Sequence, residues 1–201
     1  QAALVEPATV AVHACRRGRV SFNDTVAVLG CGPIGLLAVQ VARVFGARYV
    51  LATSRSWPKL RLAEKLGADR VVNVAEEDLL AVAEQVTGGE GFSVVLECSG
   101  NLSALNQAFD IAARLGRVVV VGVYRGETFG HDMDRILGKE LEVIGSVGSP
   151  HVWPETIDMI RKGQIRVEPI ISHRFPLEQF EQAFKLAERG GPDVLKILLL
   201  P

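Results

Sequence analysis

Six short apolar runs recur along the chain at a nearly constant spacing. They begin at residues 26, 49, 71, 94, 118 and 143, so successive runs start 22 to 25 residues apart. A unit of roughly 23 residues accommodates one strand and one crossover helix, and continuous β-branched runs are typical of strands buried on both faces. The spacing therefore predicts an α/β fold with a doubly wound parallel sheet of six strands.

Amphipathic stretches fill the intervals between these runs. From Ile34 to Phe45 the apolar residues recur at i, i+3, i+4 and i+7, which is the pattern of a helix that packs on a sheet. Asn101 is a typical N-cap residue for a later helix, which we expect to end near residues 115–116. Another helix, over residues 7–17, is expected to lead into the first strand.

The regular alternation stops after Gly163. A strand, a helix and a second strand are predicted beyond it, over residues 170–175, 177–188 and 194–200. No seventh parallel unit is expected there. The sequence therefore predicts a sheet domain over residues 7–163, with residues 1–6 and 164–201 packed outside that sheet.

A glycine-rich loop, Gly30-Cys31-Gly32-Pro33-Ile34-Gly35, joins the first predicted strand to the first helix of the sheet. In a GxGxxG loop the first glycine permits a tight turn, the second lets a diphosphate approach the backbone, and the third lets helix and strand pack closely. The helix N-terminus then faces the phosphates. The context predicts a Rossmann-type dinucleotide site, and the alternative is a structural turn that happens to be rich in glycine.

The end of the second predicted strand favours one of the two nicotinamide dinucleotides. An NAD site usually has Asp or Glu there, whereas this chain has Ser54 and Arg55, with Lys59 four residues later. A hydroxyl and two cations suit a ribose 2′-phosphate, which a carboxylate would repel. We expect NADP(H), with NAD(H) possible. The alternative is a solvated Arg and Lys that discriminate little between the cofactors.

Small residues follow the remaining strands at the edge of the sheet where ligands bind in such folds. The candidates for lining the adenosine and nicotinamide sites are Cys98, Ser99, Val121, Gly122, Val123, Ser146, Val147 and Gly148. Core packing also explains small residues, so each position has an alternative. A small buried thiol is the alternative for Cys98.

The charge and hydropathy patterns exclude several classes of function. The chain has 22 Lys and Arg against 23 Asp and Glu, whereas a dedicated nucleic-acid binder needs a basic surplus. No apolar run approaches the ~18 residues of a membrane helix, so no membrane partner is expected. With 48% hydrophobic and 22% charged residues, the composition is that of a globular protein.

The cysteines indicate a reducing, cytoplasmic location. Cys15, Cys31 and Cys98 are odd in number and widely spaced, and no CxxC pair is present. The chain begins at Gln1 without a charged and apolar leader, so we expect a fragment or a processed chain that carries no signal peptide.

Histidines provide no metal site of their own. His13 and Cys15 lie about 200° apart on a helix and cannot bind one ion together. His131, His151 and His173 stand in separate segments and are expected to be ordinary loop or surface residues.

Several segments together resemble the medium-chain zinc-dependent alcohol dehydrogenases, especially the sorbitol and threonine dehydrogenase branch. The segments that carry the resemblance are Ala3–Pro7, His13–Gly18, Gly30–Gly35, Lys65–Asp69, Glu97–Gly100, Lys139–Leu141 and Ser172–Leu177. They agree in order and spacing over nearly the whole chain.

The resemblance implies hydride transfer between NADP(H) and a secondary alcohol or ketone. It also implies that residues 1–6 and 164–201 are the remnant of a GroES-like catalytic lobe, whose missing part supplies most ligands of a catalytic zinc. Glu6 would lie at that zinc or its water, so we expect zinc in the intact protein only and no catalytic residue in these 201. By the same resemblance Ile34 should contact the diphosphate.

The substrate, the class of enzyme and the oligomeric state each need a separate argument. Sorbitol dehydrogenases have an Arg-Tyr pair where this chain has Gly148-Ser149, which argues against sorbitol as the substrate. The alternatives to the zinc enzyme are a zinc-free quinone-reductase-like oxidoreductase and a non-catalytic NAD(P)-binding module. An exposed sheet edge near Val143 predicts a homodimer or homotetramer.

Overall fold

The six apolar runs form one parallel sheet in the computed structural model, which describes residues 2–128, 130 and 132–201. The strands are β1 (Thr25–Leu29), β2 (Tyr49–Ser54), β3 (Arg70–Asn73), β4 (Phe92–Glu97), β5 (Ala112–Val120) and β6 (Glu142–Gly145). They lie in the order β3-β2-β1-β4-β5-β6, and every neighbouring pair is parallel. The predicted doubly wound, Rossmann-type sheet is confirmed.

Eight α-helices accompany the sheet in the described residues. They are α1 (Val5–Arg17), α2 (Pro33–Val44), α3 (Trp57–Lys65), α4 (Leu79–Thr87), α5 (Leu102–Ile111), α6 (Asp134–Lys139), α7 (Trp153–Arg161) and α8 (Phe180–Arg189). As expected, Asn101 caps α5, because its side-chain oxygen accepts hydrogen bonds from the N–H groups of Ser103 and Ala104. Within the described part of the chain, no helix combines the length and apolarity needed to cross a membrane.

Alternate side chains of β1 to β5 enter two separate cores. In β1, Val26 and Val28 belong to the core that α1 and α2 cover, while Ala27 and Leu29 belong to the core that α4 and α5 cover. All four side chains are fully buried. Burial on both faces is the reason that the strands are continuous apolar runs in the sequence.

The end of α5 differs from the prediction. The helix ends at Ile111 rather than near residues 115–116, and β5 begins at Ala112, which pairs with Phe92. Leu115 has a positive φ of 59° and its side chain is 68% exposed. Its apolar character continued the helical pattern in the sequence, but the backbone turns there and joins the sheet.

The two strands and the helix predicted after Gly163 are present, and the two strands form a small sheet of their own. Strands β7 (Ile171–Pro176) and β8 (Lys196–Leu200) pair in parallel, and α8 connects them. This unit is joined to the main domain through α2, because the Gln40 amide donates to the carbonyl of Arg166 (3.1 Å) and accepts from its N–H (2.8 Å).

Candidate functional site

The strand order reverses between β1 and β4 at the centre of the sheet. The chain leaves β1 for α2 on one face and leaves β4 for α5 on the other, which opens a crevice at the carboxyl ends of these strands. A cleft of about 540 Å³ lies there. The predicted site residues that line it are Gly30, Gly32, Ser54, Arg55, Lys59, Cys98 and Ser99.

The glycines of the loop after β1 each have a distinct geometry. Gly30 adopts a positive φ of 103°, and its N–H donates to the carbonyl of Thr53 at 3.1 Å. A β-carbon on Gly35 would lie 1.8 Å from the carbonyl oxygen of Gly30. By contrast, no atom of the described residues would come within 4 Å of a β-carbon on Gly32. The turn at Gly30, the open backbone at Gly32 and the close packing at Gly35 therefore occur in the predicted order.

Helix α2 begins at this loop, and its N-terminus has no side-chain cap among the described residues. Gly32 is the N-cap of the helix and Pro33 is its first residue. The first N–H groups of a helix, here including those of Ile34 and Gly35, have no partner within the helix and carry positive partial charge. The residues present therefore fit a diphosphate. The side chains and backbone of Pro33, Ile34 and Gly35, which were also predicted to contact the cofactor, are not part of the lining of the cleft.

Two cations line the cleft after β2. Arg55 is exposed, Lys59 is half-buried, and no Asp or Glu belongs to the lining among the described residues. The Ser54 hydroxyl accepts a hydrogen bond from the N–H of Ser56 at 3.1 Å, and its own proton remains available for another acceptor. This end of the cleft is therefore positively charged.

Glu97 organises the loop after β4. It is fully buried, and its side chain accepts hydrogen bonds from the N–H of Ser99 (2.8 Å), from the N–H of Gly100 (3.2 Å) and from the hydroxyl of Ser99. Burial and then the adjacent Glu97 carboxylate raise the pKa of the Cys98 thiol well above its ordinary value. Cys98 is therefore a small neutral side chain in the wall of the cleft.

The residues after β5 and β6 lie at the same edge of the sheet but outside the cleft. Val121 and Gly122 are half-buried, whereas Val123 and Val147 are 78% and 89% exposed. Ser146 is only 7% exposed. Its hydroxyl oxygen has no hydrogen-bond partner within residues 2–128, 130 and 132–201. Gly148, with a positive φ of 67°, is exposed. Their predicted contact with nicotinamide stays a prediction.

Sequence reasoning missed half of the cleft wall. The residues it did not single out are Cys31, Thr53, Val74, Gly100, Asn101, Ser103, Ala104 and Gln107. Val74 follows β3 as Arg55 follows β2, so its place at the carboxyl end of a strand was a signal in the sequence. The last three lie in the first two turns of α5, and the N-cap at Asn101 placed that helix end at the crevice.

Metal ligands are not assembled in the described part of the chain. No group of three or more His, Cys, Asp or Glu residues there could hold a metal ion. Glu6 is an exposed residue in the first turn of α1. His151 is exposed and His173 stacks on Phe175 with ring centroids 6.4 Å apart, while His131 lies outside the described residues. A zinc site therefore does not fit these residues alone.

Residues 33–162 match the family of zinc-binding dehydrogenases. The chain belongs to this family. The match begins at the start of α2 and ends just after α7, so it includes every strand of the main sheet except β1 and most of the residues that line the cleft. It confirms the resemblance that the sequence motifs predicted.

Two curated relatives of this zinc-binding dehydrogenase chain are named as dehydrogenases of erythritol/L-threitol and of L-threonine. The erythritol/L-threitol dehydrogenase of Mycolicibacterium smegmatis is 39% identical over 100% of this chain and 55% of its own length. The L-threonine 3-dehydrogenase of Bacillus licheniformis is 37% identical over 100% of this chain and 58% of its own length. The chain therefore spans little more than half the length of these relatives.

A solved structure shows the same fold with a cofactor bound. It is described as a zinc-binding dehydrogenase from Sinorhizobium meliloti 1021 bound to NADP, and it matches with a TM-score of 0.90 and 33% identity. The match covers 99% of this chain and 58% of that chain. A family member with this sheet thus binds NADP.

Proposed function

We propose that this chain binds NADP(H) across the carboxyl edge of its sheet, as the cofactor-binding part of a dehydrogenase that transfers hydride between NADP(H) and a secondary alcohol or ketone. The observation that carries the proposal is the cleft itself. It joins the open backbone of Gly32 at an uncapped helix end to the cations Arg55 and Lys59. The NADP-bound relative from Sinorhizobium meliloti supports the choice of ligand.

The preference for NADP(H) over NAD(H) rests on charge. A ribose 2′-phosphate carries nearly two negative charges, and Arg55 and Lys59 provide two positive ones at the end of the cleft beside Ser54. The guanidinium of Arg55 suits two phosphate oxygens at once. In NAD(H) the same cations would face only ribose hydroxyls, so we expect weaker binding.

The residues of the chain bind and orient the cofactor. The N–H groups at the start of α2, including that of Ile34, hold the diphosphate, while Cys98 and Ser99 form the wall beside it. Bound NADP(H) supplies the hydride donor or acceptor. The Ser146 hydroxyl has no hydrogen-bond partner among the described residues, and with Val121–Val123 and Val147–Gly148 at the same edge it forms the proposed site for the nicotinamide and its carboxamide.

Turnover is proposed to need more than these 201 residues. The zinc ligands are proposed to come from outside these residues, apart from the candidate ligand Glu6. Residues 7–163 are proposed to be the dinucleotide-binding domain, and residues 1–6 and 164–201 to belong to the catalytic lobe. The chain as given is expected to bind NADP(H) without oxidising an alcohol. Dehydrogenase activity in rigorously purified chain would contradict this part of the proposal.

Titration calorimetry with NADPH and NADH tests the binding function. We expect NADPH to bind at least about tenfold more tightly, and Arg55→Ala to remove most of that preference, because one charge-assisted contact contributes about 1.5–3 kcal/mol. Arg61→Ala is the matched control, since Arg61 is an exposed residue of α3 outside the cleft. Equal affinities in the wild type, or an unchanged preference in Arg55→Ala, would refute the proposal for NADP(H).

The exposed edge strand β6 is the basis for the proposed oligomer. Strand β6 is at the edge of the sheet and three of its four residues are exposed, including Val143 at 45%. A second copy would cover this apolar edge, so we propose a homodimer or homotetramer in the cytoplasm. A monodisperse monomer in light scattering would contradict the oligomer.

A further inference from the structure

Glu97 joins the loop that follows β4 to the loop that follows β5, at the carboxyl edge of the sheet. Its backbone carbonyl accepts hydrogen bonds from the N–H groups of Val121 and Gly122, both at 2.9 Å. Its carboxylate accepts from its own loop, through Ser99 and Gly100, and also from the hydroxyl of Tyr124 at 2.6 Å. None of the ion pairs in the described residues includes Glu97. Hydrogen-bond donors alone therefore satisfy this buried carboxylate.

The two loops approach each other so closely that only glycine fits on either side. A β-carbon on Gly122 would lie 2.5 Å from Oε2 of Glu97 and 2.2 Å from the N atom of Gly100. A β-carbon on Gly100 would lie 2.6 Å from the carbonyl oxygen of Val123. Tyr124 follows this contact directly and adds a side-chain bond to it. The path of the loop after β5 thus depends on both glycines and on the Tyr124 hydroxyl.

The Tyr124 hydroxyl is a constant donor. Burial and then its hydrogen bond to the Glu97 carboxylate raise the pKa of Tyr124 far above its ordinary value, so the phenol keeps its proton throughout the working range of pH. Its contribution is to hold the loop in place.

We propose that Tyr124 is a positioning residue, which through its hydrogen bond to Glu97 holds Val121–Val123 in the conformation that receives the nicotinamide half of the cofactor. The proposal rests on the proposed binding of NADP(H). Tyr124 itself does not line the cleft that takes the adenosine half. Loss of the hydroxyl is therefore expected to weaken contacts at one end of the cofactor and leave the other end unchanged.

The variant Tyr124→Phe, which removes only the hydroxyl, tests this asymmetry. The test compares the dissociation constants of the wild type and the variant for NADPH and for 2′,5′-ADP, which represents the adenosine half alone. In Tyr124→Phe the affinity for NADPH is expected to fall about tenfold and the affinity for 2′,5′-ADP to stay unchanged. The fluorescence of the bound reduced nicotinamide should change in parallel. Tyr49→Phe is the matched control, because Tyr49 begins β2 at the opposite end of the sheet.

Two other outcomes are distinguishable, because one refutes only the positioning role of Tyr124 and the other refutes the proposed binding of NADP(H) as well. Unchanged NADPH binding in Tyr124→Phe, or an equal loss for NADPH and 2′,5′-ADP, would refute the positioning role while leaving the proposed function intact. A wild-type chain that binds neither ligand would refute the proposed function and this inference with it. Thermal unfolding establishes beforehand that each variant is folded at the temperature of the titrations.

Discussion

The α-carbon of Gly35 lies against the carbonyl oxygen of Gly30, so that a β-carbon on Gly35 would be 1.8 Å from that oxygen. Gly35→Ala must therefore push α2 away from β1 within a fully buried core. We expect a loss of about 3 kcal/mol in the free energy of unfolding, at the upper end of the range for overpacking. Urea unfolding measures it, and a loss below about 0.5 kcal/mol would show that the loop yields without cost.

Gly32→Ala is expected to separate binding from stability. Gly32 has an ordinary φ of −72°, and its added β-carbon would meet no described atom within 4 Å, so the free energy of unfolding should change little. The same β-carbon would stand in the space proposed for the diphosphate. NADPH affinity should fall by at least about tenfold, as for a lost charge-assisted contact, in calorimetry. Full affinity in Gly32→Ala would place the diphosphate elsewhere.

The pair of Asp24 and Arg117 should make stability depend on pH. The guanidinium donates to Oδ1 of Asp24 at 2.6 Å. Burial alone would raise the pKa of Asp24, but hydrogen bonds from Ser93 and Ser21 together with the charge of Arg117 lower it below the ordinary value of 3.8. A lowered folded pKa stabilises the fold above the unfolded pKa, and this stabilisation is lost as the pH falls through the folded pKa.

Asp24→Asn should therefore cost about 2 kcal/mol at pH 7 and progressively less below about pH 4. Chemical unfolding of both proteins across that range measures the difference. Asp158→Asn serves as the control, because Asp158 pairs with Lys162 on an exposed helix face, where ion pairs contribute about 0.5 kcal/mol or less. A constant difference between wild type and Asp24→Asn from pH 7 to pH 3 would contradict the assignment.

Lys139 caps the C-terminus of α5. Its ammonium group donates to the carbonyl oxygens of Phe109 (3.0 Å), Asp110 (2.6 Å) and Ala112 (2.8 Å). Lys139→Met keeps the length of the side chain and leaves these carbonyls without the charged donor, so we expect a loss of about 2 kcal/mol in stability. Lys162→Met on the exposed end of α7 should cost about 0.5 kcal/mol or less. Equal effects of the two substitutions on the midpoint of urea unfolding would disprove the capping role.

The three thiols should react slowly in the folded chain. Burial raises the pKa of Cys31 to about 12 and raises the pKa values of Cys15 and Cys98 as well. At pH 8 a thiol with a pKa near 12 is ionised in about one molecule in ten thousand, whereas a free thiol is ionised in about a quarter. A disulfide reagent should therefore label the native chain slowly and all three cysteines promptly in denaturant. Rapid labelling of the native chain would indicate an exposed thiolate.

Local patterns were sufficient to predict the sheet and the loop. The 22- to 25-residue spacing of apolar runs predicted all six parallel strands, because β1 to β5 are buried on both faces and the edge strand β6 still carries the apolar pair Val143 and Ile144. The order of Gly30, Gly32 and Gly35 in the sequence indicated turn, open backbone and close packing, and the structure has that geometry. The N-cap at Asn101 was likewise a local signal.

Local patterns were wrong where tertiary contacts compete with them. The apolar Leu115 continued the periodicity of α5, but pairing of Ala112 with Phe92 in the sheet ends the helix at Ile111. The wall of the cleft formed by Ser103 and Gln107 was not foreseen, because it depends on how α5 is set against the crevice.

The sequence by itself thus determined the fold class and the place of the dinucleotide loop, since both follow from the burial periodicity and backbone freedom of neighbouring residues. Only the tertiary structure decided which side chains meet. Glu97 and Tyr124 are separated by 27 residues, and their hydrogen bond exists because adjacent parallel strands bring two loops to one edge of the sheet. Contacts between distant segments leave no periodic signal in a single sequence, so they become visible only once the chain is folded.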